Sequence, residues 1–140
     1  VNNPEQLNRD CAAVAWVWLA KRYGLNGLVM PRFETSSRLM VGRYQVYKRL
    51  VRVPELKDGV QYFWATYPRK GVGRVAFRIY CTPLERRLLT FIHEFTHAIQ
   101  HLIADRAGDE VDWSEIETTQ NEMDFAKENL PHLYKLTTEV

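Results

Sequence analysis

The stretch that decides the fold is residues 82–104, TPLERRLLTFIHEFTHAIQHLIA. Thr82 stands where a helix N-cap is expected, Pro83 at the first helical position and Glu85 three residues past the cap. In that arrangement a hydroxyl and a carboxylate satisfy two orphan backbone donors reciprocally. At about 100° per residue, Leu84, Leu88, Phe91, Phe95, Ile99 and Leu102 fall on one side, and Arg86, Thr90, His93 and His97 on the other. The spacing predicts an amphipathic helix over 84–104, with its apolar stripe against a core and its histidines turned away from it.

Upstream, Leu7, Cys11, Val14, Ala15, Trp18 and Leu19 recur at helical spacing and Gly24 is a natural stop, which predicts a helix over 6–23. Between the two helices the texture becomes β-rich. Strands are expected near 28–34, 39–53, 61–67 and 74–80, separated by turn signals at Pro31, Pro54, Asp58-Gly59 and 68–73. Downstream, a helical pattern over 113–129 is stopped by Pro131, with a short amphipathic tail to Leu136. This order predicts one α+β domain over 1–140: an N-terminal helix, a small mixed or antiparallel sheet, then two helices packed on one side of it.

Length and composition agree with one domain. With 140 residues, 46% apolar and 26% charged, the chain can bury a core without a disulfide framework, which its two cysteines, Cys11 and Cys81, could not supply. Its longest apolar stretch, 11–20, is half of the ~20 residues needed to span a bilayer, so no membrane partner is expected. No secretory leader opens the sequence, and an intracellular, cytoplasmic location is the expectation.

The net charge of +2 hides an asymmetry. Residues 32–87 carry 13 Lys/Arg against 4 Asp/Glu, and 88–140 carry 3 against 11. In the basic segment 32–87, Arg38, Arg43, Lys48, Arg49 and Arg52 interleave with Tyr44 and Tyr47. Arg69, Lys70, Arg74 and Arg78 follow, with Tyr62, Phe63 and Trp64 nearby. That composition fits phosphate contacts and base stacking, so nucleic acid is an expected partner, alongside the plainer reading of a solvated sheet face.

The chemistry sits in His93-Glu94-Phe95-Thr96-His97, an H-E-x-x-H sequence whose imidazoles at i and i+4 project from one helical face toward a single ion. Neutral imidazoles hold Zn²⁺ without quenching its Lewis acidity, and an open position keeps a water whose pKa the metal lowers toward ~7. Glu94, one residue past the first ligand, is placed to take that water's proton and deliver it to a leaving amine. Glu94 is therefore read as general base and acid, and His93 and His97 as zinc ligands.

A carboxylate third ligand is expected from the next helix, where Glu115, Glu117 and Glu122 are the candidates. Helical periodicity does not choose among them: Ile116, Met123 and Leu130 mark the core stripe, Glu115 and Glu122 flank it, and Glu117 projects further round with Asn121 and Asp124. His101, one turn past His97, is read as cleft lining or a surface residue, because about 6 Å of rise separates it from His97.

On these residues the chain resembles the HExxH zincins of the gluzincin type, in which a Glu about twenty residues past the second His completes the site. Glu117 and Asn121 fit that pattern. The stretch from Glu117 to Gln120-Asn121 also resembles the Glu-x-x-Ala-Asn element of the ImmA/IrrE-like metallopeptidases, with Gln120 where Ala is usual and Met123 where Phe is usual. Over about residues 7–104 the chain is similar to the SprT-like proteases, whose downstream third-ligand His in a Gly-His context has no counterpart here. Only His132 lies beyond, after Pro131.

The resemblance implies a minimal zincin fold with His93, His97 and Glu117 on zinc, and a metallopeptidase acting on a protein substrate. SprT-like relatives cut proteins crosslinked to DNA and ImmA/IrrE-like ones cut repressors, so the basic segment would suit either. The rival expectation is a nucleic-acid-binding or regulator-binding module with a structural or vestigial zinc. Cys11 reads as core, and Cys81 lacks the partners of a nucleophile. Tyr80 and Tyr134 are candidate oxyanion donors.

Overall fold

A computed structural model describes residues 4–25, 27–36, 42–55, 61–69, 73–136 and 138–139, with side chains for 5–25, 27–36, 42–55 and 81–133. The order is α1 (Pro4–Tyr23), β1 (Arg32–Ser36), β2 (Arg43–Gln45), β3 (Leu50–Pro54), β4 (Gln61–Arg69), β5 (Gly73–Cys81), α2 (Pro83–Ala107), α3 (Glu115–Asn129), α4 (Pro131–Leu136) and β6 (Thr138–Glu139). It is the α+β arrangement that the sequence predicts. Among the described residues, no helix is long and apolar enough to cross a membrane.

The strands divide differently from the expectation. Rather than one small sheet, the described residues form two of three strands each, ordered β1-β3-β2 and β4-β5-β6. The first is mixed, β1 running parallel and β2 antiparallel to β3. The second is antiparallel throughout. The single strand expected over 39–53 is a hairpin: a 3₁₀ turn at Val46–Lys48 reverses the chain, closed by Arg49 at φ 49°. A left-handed residue with a β-carbon costs roughly 1–2 kcal/mol, so the pairing of Tyr44 with Val51 and Gln45 with Leu50 must offset that strain. Residues 39–41 of the expected strand lie outside the described residues.

α2 forms as its caps dictate. Thr82 Oγ1 accepts from Glu85 N at 3.1 Å, and Glu85 Oε1 accepts from Thr82 N at 2.9 Å, completing the capping box. Gly108, at φ 72°, ends the helix in the left-handed conformation that glycine adopts without penalty.

Phe91, Phe95 and Ile99 are buried as expected, while Leu84 at the helix start is 40% exposed. The opposite face is covered as well: Ile92, Glu94, Thr96, His97 and Gln100 are buried.

α1 lies on α2 through Cys11, Ala12, Ala15, Trp16 and Leu19, and Trp16 meets Phe95 edge to face at 5.7 Å. Val14, expected on the buried face, is 50% exposed, and Ala12 and Trp16 turn inward in its place. Ala12 and Ala15 are both fully buried. β3 supplies Val51 and Val53, β1 sets Phe33 edge to face against Phe91 at 5.1 Å, and α3 sets Phe125 against Trp18 at 5.5 Å. Cys11 and Cys81 are free and buried, and burial pushes each thiol up to about 11, so neither is a ready nucleophile.

Candidate metal centre

His93 and Glu94 lie one turn before His97 on α2, and one donor atom from each of the three falls within 4.8 Å of the other two. The imidazoles meet edge to face at 5.1 Å. Behind each stands an acceptor. His93 Nδ1 is 3.1 Å from Glu122 Oε2, and His97 Nδ1 is 2.8 Å from Gln100 Oε1. In front, Nε2 of His93 is 3.1 Å from Glu115 Oε2 and Nε2 of His97 is 2.9 Å from Glu115 Oε1. Ligands ~2.0–2.1 Å from a tetrahedral zinc stand about 3.3 Å from one another, close to these separations.

The three candidate carboxylates thus occupy distinct places. Glu115, the first residue of α3, is the one brought to both Nε2 atoms. Glu122 sits behind His93. Glu117, expected on the metal, has its oxygens engaged elsewhere: Oε1 accepts from Gln100 Nε2 at 2.7 Å and Oε2 from the Tyr23 hydroxyl at 2.8 Å. The placement follows from the cap of α3. Ser114 Oγ accepts from Glu117 N at 3.1 Å, which starts the helix beside α2 with its first side chain aimed at the imidazoles and its third turned toward α1.

Electrostatically the pocket favours a cation. Burial opposes charge on His93, but the adjacent Glu122, with Glu94 and Glu115, outweighs it and pushes the pKa up to about 9. Burial, partly opposed by His93 and His97, raises the Glu94 carboxyl. Burial likewise raises Glu122, against the hydrogen bond from His93. Glu94 Oε2 is buried with no hydrogen-bond partner, an acceptor held beside the imidazoles and unsatisfied by protein. Two convergent imidazoles, one carboxylate between them and one orphaned carboxylate oxygen fit a zinc site of the open type.

The centre floors a groove of about 390 Å³ lined by residues of β2, its entry and the start of its turn, Gly42, Tyr44 and Val46 among them, and by Trp113. β2 is an edge strand. Trp113, 41% exposed, stands against His97 at 5.8 Å, His101 at 6.1 Å and Tyr44 at 6.3 Å. His101 Nδ1 lies 2.9 Å from the Tyr44 hydroxyl, outside the His93, Glu94 and His97 cluster. Gln100 and Trp113 were not signalled by any motif, Tyr44 was read only as a stacking residue of the basic segment, and only a folded chain brings them beside the imidazoles.

The chain matches no family model, no curated protein and no solved structure. The reading of the site therefore rests on its geometry and its sequence.

The remaining candidates fall away from the centre or outside the described side chains. His132 contacts Glu85 near the start of α2. Side chains of Tyr80 and Tyr134 are not described. In the basic segment, Arg52 pairs with Glu34 at 2.5 Å, Arg49 with Asp105 at 3.0 Å, and Arg87 is buried. Arg69, Lys70, Arg74 and Arg78 lie outside the described side chains.

Proposed function

We propose that this chain is a zinc-dependent metallopeptidase in which His93, His97 and Glu115 hold the metal and Glu94 is the general base and acid. The observation that carries the reading is the convergence of both Nε2 atoms on one carboxylate, beside the buried and unpartnered Oε2 of Glu94. When bound, zinc supplies Lewis acidity at the scissile carbonyl and lowers the pKa of a coordinated water toward ~7.

Glu94 takes the proton from the attacking water and passes it to the leaving amine. Glu122 accepts from His93 Nδ1 and turns Nε2 of that ring toward the groove. Among the described residues β2 has β3 on one side only, and its backbone beside the centre suits an extended peptide added as a further strand.

The test is zinc content by elemental analysis and hydrolysis of a peptide library, for wild type and Glu94→Gln. Both proteins are expected to hold about one zinc per chain, and the variant to lose about 10²–10⁴-fold in rate. Equal hydrolysis by Glu94→Gln, or a wild type that takes up no zinc at neutral pH, overturns the reading.

A further inference from the structure

The amide of Gln100 cannot be turned around. Its Nε2 lies 3.0 Å from the Ser114 carbonyl oxygen and 2.7 Å from Glu117 Oε1, and both partners only accept. Reversing the amide would set one oxygen against two others. Oε1 is thereby fixed toward His97 Nδ1 at 2.8 Å. Since an amide oxygen only accepts, Nδ1 must donate, and the other nitrogen of the ring is left facing the groove.

Glu117 is itself held from α1. Asn121 Nδ2 donates to the Tyr23 hydroxyl at 2.8 Å and to Thr96 Oγ1 at 3.0 Å, so the proton of Tyr23 is left for Glu117 Oε2. Burial above all pushes Tyr23 up to about 12, which keeps it a donor. Thr118, Thr119 and Asn121 of α3 are buried around this chain of contacts.

We propose that Glu117 and Tyr23 are positioning residues of the metal centre, acting through Gln100 to hold His97 in the form that offers Nε2 to a cation. The proposal rests on the metal centre described above and assigns Glu117 a role that touches neither metal nor substrate. A ligand and a positioning residue respond differently to substitution. A ligand's loss adds to the loss of Gln100, whereas a residue acting through Gln100 has nothing left to act on once Gln100 is gone.

The experiment measures zinc affinity by chelator competition in the full chain, for wild type, Gln100→Leu, Glu117→Leu, Glu117→Gln and the Gln100→Leu/Glu117→Leu pair. The melting temperature of each metal-free protein is recorded alongside, with ¹⁵N spectra of the imidazoles in zinc-loaded wild type. Gln100→Leu is expected to weaken binding about 10–100-fold, and Glu117→Leu by a smaller factor. The double variant is expected to bind no more weakly than Gln100→Leu. Glu117→Gln is expected to stay within about threefold of wild type, because its amide oxygen still accepts from Gln100.

Additive losses, or Glu117→Gln as damaging as Glu117→Leu, overturn the proposal while leaving the metal centre standing. So does a spectrum in which His97 ligates through Nδ1. If the leucine variants do not fold, Glu117→Gln and the wild-type spectrum still decide. A wild type that binds no zinc overturns the metal centre and this proposal together.

Discussion

Gly42 lies against Glu94 so closely that a β-carbon built on it would stand 3.4 Å from Glu94 Cγ and 2.7 Å from Thr90 Cγ2. Its φ of 141° is also one that side chains rarely adopt. The close approach sets the entry to β2 beside Glu94. Gly42→Ala is expected to cost about 1–3 kcal/mol in urea unfolding and to lower kcat, by pushing the strand off α2. Adding Thr90→Ser removes the clashing Cγ2 and keeps the hydroxyl that donates to Arg86 O at 2.9 Å, so part of the stability should return. No recovery in the double variant would show that backbone strain alone sets the cost.

Glu115 and Glu122 contact different nitrogens of one imidazole, and the two contacts predict different losses. In the proposed centre, Glu115→Ala removes a ligand and should abolish stoichiometric zinc at micromolar concentrations. Glu122→Ala leaves the ligand set intact and should weaken binding about 10–100-fold. Chelator competition ranks the two. The reverse order would move the ligand role to Glu122.

What was legible in the sequence follows from how local its causes are. Thr82, Pro83, Glu85 and Gly108 fix α2 through contacts within a few residues, and the expected 84–104 is contained in Pro83–Ala107. The HExxH spacing lies on that one helix and needed nothing else. The hairpin between β2 and β3 was not legible, because Val46, Tyr47 and Lys48 are no turn formers and Arg49 is forced left-handed by the pairing around it. That Glu115 rather than Glu117 faces the imidazoles was hidden for a related reason. Periodicity describes the faces of α3, but the approach of its first turn to α2 is set by the connection at 108–114 and the Ser114 cap. Gln100 reads as one more polar helix position until α3 covers it.

The capping box offers a measure of stability separate from the metal centre. Thr82→Ala removes the acceptor for Glu85 N and should cost about 0.5–2 kcal/mol in urea unfolding. Thr82→Ser keeps the oxygen and should cost little. Zinc affinity should be unchanged in both, because the centre lies more than two turns further along α2. A loss of zinc in Thr82→Ala would mean that the frayed turn reaches the imidazoles.

Under the proposed function, Trp113 is the groove residue expected to select among substrate side chains. Its ring covers one side of His97 and packs with Tyr44 and His101, yet 41% of it stays exposed toward the groove. A half-exposed aromatic beside an edge strand makes an apolar seat for a side chain of a bound extended peptide. Trp113→Ala should therefore raise KM and flatten any preference for large apolar residues next to the cleaved bond. One lost apolar seat is worth about 1–3 kcal/mol, or roughly 10–200-fold in kcat/KM between substrates. Trp113→Phe should retain most of the preference. Zinc content must be measured in parallel, since the ring also touches His97. Selectivity lost at full zinc occupancy places the substrate against Trp113, and unchanged selectivity places it on another side of the centre.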